Sequence, residues 1–372
     1  MAPHNDAPSP SGNFSTGFSR IPYRPTVSSA FLNGHMDVGE SDSSSTTSEA
    51  SELHMTRPLV PGVYVPTTCF FEPGTEDVDT DTIARHAVRL ARAGVTGLAT
   101  QGSNGEAVHL SHAERQLVTS TTRKALNDSG FSHVPIIVGC GSQSIRETIQ
   151  YCREAWEAGG DYALVLPPSY YASLFAPASE TVLQYFTAVA DASPIPIIIY
   201  NFPGGAGGLD LSSDIIVQLS EHHNIVGVKL TCGNTGKLIR VAAATRKLSK
   251  TRDPKNPEFL VLAGSADFSI QALVAGGHGI LAGLANIAPK ACIKTIELFH
   301  QGKHAEAQAM QEIVSQGDWT AIQGGVVGVK AGLQGWLGYG GYARSPLPKP
   351  TTEQARKWKD GFRDLVMLEK SL

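Results

Sequence analysis

The sequence has no long apolar stretch and no excess of positive charge. No apolar run reaches the roughly 18 residues that a membrane-spanning helix needs, so we expect no membrane partner. Lysine and arginine number 30 against 34 acidic residues, which gives a formal net charge of −4. Such a chain has no basic field to hold the phosphates of a nucleic acid, so we expect no nucleic-acid partner either.

Cysteine is also scarce, and its spacing argues against a clustered metal site. The five cysteines lie far apart without a CxxC pair, and the 12 histidines are scattered. His222 and His223 are adjacent, but they precede a predicted strand and are expected at the surface. We therefore predict no metal, no bound cofactor, and reduced thiols in an intracellular, cytoplasmic protein. The cysteines are Cys69, Cys140, Cys152, Cys232 and Cys292.

Residues 1–57 lack any apolar periodicity. They contain 12 serines, and six acidic residues outweigh three arginines. A segment of this composition cannot bury enough apolar area to offset its chain entropy, so we expect a disordered tail. The alternative is an organelle transit peptide, which would make the protein mitochondrial, because residues 1–35 are Ser-rich with one acid. The acidic Ser cluster at residues 40–52 argues against that alternative.

From Pro58 onwards, short apolar runs alternate with amphipathic stretches. The runs are apolar almost throughout, which is typical of parallel strands covered by helices. Eight such units predict a (β/α)8 TIM barrel, an α/β fold, over residues 58–288. The runs are Gly62–Phe71, Val95–Gln101, Val134–Gly139, Tyr162–Leu166, Ile195–Tyr200, Asn224–Leu230, Phe259–Leu262 and Gly279–Leu284.

A doubly wound open sheet is the alternative architecture. It is weakened because no GxGxxG motif follows the first strand. After about residue 288 the strand patterns stop, and three helical patterns follow at Pro289–Gln301, His304–Ser315 and Thr352–Leu368. We predict that residues 289–372 form a C-terminal helical region packed on the barrel.

Lys229 stands inside the apolar sixth strand. Burying an unpaired ammonium costs several kcal/mol, so a buried lysine tends to lose its proton, and a neutral amine attacks carbonyl carbons. The alternative is a strand-end lysine that reaches solvent or pairs with a carboxylate. In a barrel the reactive groups stand at the carboxyl ends of the strands, which is where this residue falls.

Tyr200 ends the fifth strand, which neighbours the sixth. Because adjacent strands lie about 4.8 Å apart, its side chain and that of Lys229 could meet. A phenol beside an amine suits proton transfer during imine formation. The alternative is a tyrosine that only anchors the loop after it.

The second strand ends in a Gly-rich loop, Gln101–Glu106. Successive backbone N–H groups in such a loop can form a nest for an anion, and the Ser103 and Asn104 side chains add donors. We expect a carboxylate there, although ordinary turns use the same residue types.

Four motifs in this order resemble those of the N-acetylneuraminate lyase and dihydrodipicolinate synthase family. They are GSNGE at 102–106, PPSYY at 167–171, YNFPG at 200–204 and GVKLTCG at 227–233, within roughly residues 60–365. The resemblance implies a TIM barrel and class I chemistry, in which a lysine forms a Schiff base with pyruvate or another 2-oxo acid.

Residue by residue, the resemblance implies that Lys229 is the Schiff-base lysine and Tyr200 the proton relay. Ser103 and Asn104 match the pair that binds the substrate carboxylate. Tyr171 matches a tyrosine that is inserted from a neighbouring subunit in the tetrameric members. It therefore also implies a homotetramer built as a dimer of dimers.

One position departs from the synthases of the family. They carry an arginine two residues beyond the proline of the YNxP motif, where it grips the carboxylate of the aldehyde substrate. Here that position is Gly205, within the Gly-rich stretch 203–208. Gly205 and Thr67, which lies in the first strand run, complete the expected substrate-binding set. Without the guanidinium, synthase activity is not expected.

The function that we predict is retro-aldol cleavage of a 4-hydroxy-2-oxo acid to pyruvate or glyoxylate plus an aldehyde or 2-oxo acid. The Ser103–Asn104 pair resembles 4-hydroxy-2-oxoglutarate aldolases, whereas YNFPG and GVKLTCG resemble fungal aldolases acting on 2-keto-3-deoxy-hexonates. The alternatives are a synthase-type condensation, a hydratase-aldolase, and a catalytically silent binding member of the family.

Overall fold

A computed structural model describes residues 57–175, 179–248 and 258–372 of the chain. The predicted disordered tail, residues 1–57, lies outside the described residues except for Arg57. That residue is buried against the barrel. The boundaries at residues 57/58 and 288/289 stay predictions.

Eight parallel strands close into a barrel in chain order, with β1 pairing β8 as well as β2. Each predicted apolar run overlaps one strand, so the predicted barrel is confirmed. Most strands are shorter than their runs, whereas β5 and β7 extend one residue beyond the predicted ends, to Asn201 and Ala263. Their bounds are β1 Gly62–Pro66, β2 Gly97–Thr100, β3 Ile136–Gly139, β4 Tyr162–Val165, β5 Ile197–Asn201, β6 Ile225–Leu230, β7 Leu260–Ala263 and β8 Gly279–Leu281.

Several helices between the strands begin at polar capping residues, among them Asp79, Ser111, Ser144 and Ser212. Ser111 accepts the backbone N–H of Glu114 while the Glu114 side chain accepts that of Ser111, which is a capping box. The helices between β1 and β8 are α1 Thr80–Arg92, α2 His112–Asp128, α3 Ile145–Glu157, α4 Ala172–Phe175, α5 Ser179–Ala192, α6 Ser213–Ser220, α7 Thr235–Leu248 and α8 Ser269–Val274. The helices after β8 are α9 Pro289–His300, α10 His304–Leu337, α11 Thr352–Gly361 and α12 Arg363–Ser371.

Two apolar layers pack against the strands, one between the strands and the helices and one inside the barrel. Ile197 and Ile199 of β5 belong to the outer layer between strands and helices, whereas Ile198 and Tyr200 belong to the layer inside the barrel. The alternation follows from the two-residue period of a strand, and it sends every second strand residue towards the barrel axis. Among the described helices, none is both long enough and apolar enough to cross a bilayer.

The C-terminal helices differ from their predicted bounds. The pattern at His304–Ser315 is the start of α10, which continues through the Gly-rich stretch to Leu337 with one break at Gly325. Glycine lowers helix propensity, which is why the predicted helix ended at Ser315. The glycines allow close packing instead, since a β-carbon on Gly332 would lie 2.7 Å from the Phe362 ring. The third pattern is two helices, α11 and α12, joined at Phe362.

A buried charge cluster closes the amino-terminal end of the barrel. Asp161, just before β4, pairs with Arg57 at 2.9 Å and Arg123 at 2.5 Å. Its carboxylate also accepts the backbone N–H of Ile136 at 2.7 Å. The Asp161 side chain is only 2% exposed, and its carboxylate is the charge partner of both guanidinium groups.

Replacing Asp161 should therefore destabilise the fold strongly. Asp161→Asn leaves two buried guanidinium groups without a counter-charge, for which we expect a loss of about 3–5 kcal/mol in the free energy of unfolding. Urea titration measures it. The control is Lys124→Ala in the exposed Lys124–Asp128 pair, where less than about 1 kcal/mol is expected. Equal losses in the two variants would contradict the assignment.

Candidate active site

Lys229 and Tyr200 are paired positions on adjacent strands near the carboxyl end of the barrel. Val228 and Leu230 belong to the outer apolar layer, so the lysine between them points inwards. Lys229 and Tyr200 are each 4% exposed, and the Lys229 Nζ atom lies 4.1 Å from the centroid of the Tyr200 ring. The structure therefore brings together the amine and the phenol that the sequence singled out.

The Tyr200 hydroxyl reaches the loop after β2. Its oxygen lies 3.4 Å from the Ser103 Oγ atom, with either group able to donate. On the other side, the Phe202 ring stacks on the Tyr200 ring at a centroid distance of 5.7 Å and an angle of 13°. The phenol thus touches the amine through its ring and the expected carboxylate-binding loop through its oxygen.

The loop Gln101–Glu106 is a tight turn whose two ends have left-handed backbone angles, φ 49° at Gln101 and 52° at Glu106. The N–H groups of Gly105 and Glu106 donate to the carbonyls of Gly102 and Ser103. Because those two N–H groups are already hydrogen-bonded inside the turn, they are not free to bind an anion. The donors that remain for the expected carboxylate are those of Ser103 and Asn104.

The segments that follow two further strands, β1 and β8, contact this turn. A β-carbon on Gly105 would lie 3.2 Å from the Thr67 carbonyl oxygen, so Thr67 sits directly beneath the loop. A β-carbon on Gly283 would overlap the Asn104 amide, so the turn after β8 supports Asn104 from the side. The Asn286 amide holds that turn by donating to the carbonyls of Pro66 and Gly283, at 2.9 and 2.8 Å.

Gly205 does not open onto free space. It lies in a short 3-10 turn, and a β-carbon there would lie 2.6 Å and 2.8 Å from two Phe202 ring carbons. An arginine at this position would require the Phe202 ring or the turn to shift. The aromatic ring therefore covers the position from which the synthases reach their second substrate.

Tyr171 is separate from the buried cluster within one chain. It precedes α4 and is 61% exposed, with its ring packed edge-to-face on Tyr170 at 4.9 Å. Tyr170 and Leu174 beside it are 79% and 80% exposed. Such an apolar group on the surface is the arrangement expected of a residue that contacts another subunit.

Phe202, Gly283 and Glu106 are site residues that sequence reasoning missed. Glu106 belongs to the GSNGE motif, but the sequence does not show which residue its buried carboxylate contacts.

The described residues contain no group of three or more His, Cys, Asp or Glu side chains arranged to hold a metal ion. The cluster offers an amine, a phenol and small donors, a set suited to a carbonyl compound carrying a carboxylate.

Known proteins resemble the chain over nearly all of its described length. The family profile described as the dihydrodipicolinate synthetase family matches residues 62–365. A protein of Emericella nidulans named probable 4-hydroxy-2-oxoglutarate aldolase, mitochondrial, is 54% identical over 85% of this chain and 98% of its own length. An L-threo-3-deoxy-hexylosonate aldolase of Aspergillus niger is 48% identical over 85% and 98%.

Solved structures share the fold. A dihydrodipicolinate synthase family protein of Coccidioides immitis superposes with a TM-score of 0.73 at 30% identity, covering 85% of this chain and 99% of that one. The E. coli K12 prophage protein YagE, solved with pyruvate, gives a TM-score of 0.74 at 24% identity over 82% and 99%.

Tyr200→Phe should keep the ring contacts with Lys229 and Phe202 but remove the hydroxyl beside Ser103. We expect kcat for cleavage of a 4-hydroxy-2-oxo acid to fall by about 10²-fold or more, the scale for losing a positioned proton carrier. A matched control is Tyr64→Phe, another inward-facing tyrosine, whose hydroxyl donates to the Val60 carbonyl instead. If both variants stay within threefold of the wild type, Tyr200 is only a loop anchor.

Proposed function

The chain belongs to the dihydrodipicolinate synthetase family, and from that premise we propose that it is a Schiff-base-forming class I aldolase, a carbon–carbon lyase acting on a 4-hydroxy-2-oxo acid. The observation that carries the proposal is the inward-facing Lys229 Nζ atom, 4.1 Å from the Tyr200 ring in a closed barrel. An amine in this position can attack the carbonyl carbon of a substrate that enters the barrel mouth. A catalytically silent binding protein would not need this pair.

The substrate carboxylate is bound by Ser103 and Asn104, and the unprotonated Lys229 attacks C2. Tyr200 protonates the departing hydroxyl, so that water leaves and gives an iminium together with a Tyr200 phenolate. As the C3–C4 bond breaks, this phenolate takes the C4 hydroxyl proton; the hydroxyl becomes a carbonyl, and the C3–C4 electrons move into the iminium to give an enamine. Tyr200 then protonates C3, and addition of water to the new iminium releases the 2-oxo acid and regenerates the free amine and the neutral phenol. The iminium withdraws electrons as a Lewis-acidic metal would, so the step needs no metal.

The first substrate candidate is 4-hydroxy-2-oxoglutarate, which would yield pyruvate and glyoxylate. The Emericella relative that carries this name is 54% identical to the chain. The Ser103–Asn104 pair resembles that group as well. The second candidate is an L-threo-3-deoxy-hexulosonate, favoured by the relatives from Aspergillus niger at 48% and Hypocrea jecorina at 46% identity. Both are 4-hydroxy-2-oxo acids, so one mechanism serves them.

Condensation with an aldehyde that bears a carboxylate, as in the synthases, is disfavoured. The position of the gripping arginine is Gly205, and the Phe202 ring covers it. Losing a bidentate charged hydrogen bond costs about 1.5–3 kcal/mol, which is roughly 10- to 150-fold in affinity. The aromatic ring supplies no compensating charge.

We also propose that the protein assembles as a homotetramer, a dimer of dimers. The exposed apolar group of Tyr170, Tyr171 and Leu174 supports it, because isolated subunits rarely leave such patches open. In that assembly Tyr171 would reach the active site of a neighbouring copy.

We also propose that the protein is located in mitochondria. The Emericella relative and one from Coccidioides immitis are both named mitochondrial. The Ser-rich composition of residues 1–35, with a single acid, agrees with a transit segment.

Incubation with pyruvate and borohydride should add a reduced pyruvyl group to Lys229. Hydride from borohydride adds to C2 of the imine and fixes the C2–N bond, so peptide mapping locates the lysine. Lys229→Ala should abolish both the adduct and turnover, whereas Lys290→Ala, which removes an exposed lysine, should change neither. An adduct on the buried Lys237 or Lys330 would refute the assignment, and no adduct at all would favour a binding protein.

A substrate panel should show cleavage of a 4-hydroxy-2-oxo acid and negligible condensation of pyruvate with aspartate semialdehyde. Pyruvate release is followed with lactate dehydrogenase on 4-hydroxy-2-oxoglutarate and on L-threo-3-deoxy-hexulosonate. The 4-hydroxyl is required because it becomes the carbonyl of the leaving fragment. Strong synthase turnover without cleavage of either compound would overturn the argument from Gly205 and Phe202.

A further inference from the structure

An ion pair with almost no solvent exposure lies behind the carboxylate-binding turn. The Lys330 Nζ atom of α10 is 2.6 Å from the Glu106 Oε1 atom, and both side chains are 1% exposed. The ammonium also donates to the Tyr342 carbonyl at 2.9 Å and lies 4.5 Å from the centroid of the Phe71 ring. Burial lowers the pKa of Lys330, while the charge of Glu106 opposes that shift.

Glu106 has two more donors around its carboxylate. The backbone N–H of Arg344 donates to Oε2 at 2.8 Å, and His109 Nδ1 lies 3.2 Å from the same oxygen. Two of its three partners therefore come from the C-terminal region, more than 220 residues further along the chain. Glu106 itself is held at φ 52°, an angle that a residue with a side chain keeps only when its surroundings impose it.

Arg344 extends the same contact to the helix after the turn. Its guanidinium donates to the Glu114 carboxylate of α2 at 2.6 and 3.1 Å and to the His109 carbonyl at 2.7 Å. This pairing lowers the pKa of Glu114 to about 2 and raises that of Arg344. The C-terminal region thus forms ionic contacts with Glu106, before His109, and with Glu114, after it.

The turn between Gln101 and Glu106 is so short that a movement of Glu106 would also move Ser103 and Asn104. Glu106 follows Asn104 by two residues, and its N–H donates to the Ser103 carbonyl at 3.2 Å. An unpaired carboxylate in this position would be driven towards water, and Ser103 and Asn104 would move with it. A displacement near 1 Å in a positioning group can lower a rate about 100-fold.

We propose that Glu106 and Lys330 are positioning residues for the substrate carboxylate, so that the C-terminal helical region completes the active site. The proposal rests on the proposed function, because it presumes an imine at Lys229. Neither residue touches the substrate; the pair sets the place of Ser103 and Asn104. A purely structural pair would support the fold without any bearing on the carboxylate.

The test compares two ketones that form the same imine, pyruvate and hydroxyacetone, of which only pyruvate has a carboxylate. The Lys229 amine bonds to the carbonyl carbon, water leaves, and cyanoborohydride delivers hydride to that carbon. The rate of adduct formation at Lys229 is measured for each ketone by intact mass and peptide mapping. The ratio of the two rates isolates the carboxylate contribution, and it does not depend on the folded fraction of a variant.

We expect Lys330→Met to lower the pyruvate-to-hydroxyacetone ratio at least 10-fold and Glu106→Gln to lower it in the same direction. Lys330→Arg keeps the charge and should recover the ratio to within about threefold of wild type. The double variant Glu106→Gln with Lys330→Met buries no unpaired charge, so it keeps the test informative if Lys330→Met folds poorly. It too should have a low ratio, because the ionic contact is gone.

The control is Asp161→Asn, which breaks a buried ion cluster at the opposite end of the barrel. It should lower stability and leave the ratio unchanged. A wild-type ratio in Lys330→Met and in the double variant, or an equal fall in Asp161→Asn, would overturn the positioning role while leaving the aldolase assignment standing. A wild type that traps neither ketone would overturn both.

Discussion

The contact between the Lys229 amine and the Tyr200 ring is the constraint on which the site depends. An amine buried in an apolar barrel must have partners that tolerate it both charged and neutral, because it changes state during imine chemistry. An aromatic face does so, since it attracts a cation without accepting a proton from it. No carboxylate contacts Lys229 among the contacts found in the described residues, whereas the buried Lys237 and Lys330 each pair with an acid. That difference agrees with the proposed role of Lys229 as the nucleophile.

Charge is used differently at the two ends of the barrel. At the amino-terminal end, Asp161 joins two arginines and the backbone of β3. At the carboxyl end, Glu106 and Lys330 connect the second βα loop to α10 behind the reactive cluster. Buried pairs of this kind add little net stability compared with apolar packing, but they fix geometry because an unpaired partner is costly. The proposed carboxylate-binding turn, Gln101–Glu106, requires such a fixed geometry.

The loop after β5 determines what the site can accept beyond the 2-oxo acid. Phe202 stacks on Tyr200 and covers Gly205, so one aromatic side chain both orients the phenol and closes the space of a second-substrate arginine. Cleavage of one substrate needs no such arginine. In the proposed function a single ring would therefore link substrate choice to proton transfer, which agrees with the way loops on a rigid scaffold carry function.

Much of the fold and the chemical centre could be predicted from the sequence, because both depend on local signals. Apolar runs define the strands, a capping residue such as Ser111 defines a helix start, and adjacent strand ends bring Tyr200 and Lys229 together. Three features required the tertiary structure. The Gly-rich part of α10 packs closely on Phe362, the turn after β5 places Phe202 against Gly205, and Glu106 meets Lys330 across 224 residues. Local propensity carries no information on such long-range partners, so sequence determined the reactive residues, and three-dimensional packing decided what holds them in place.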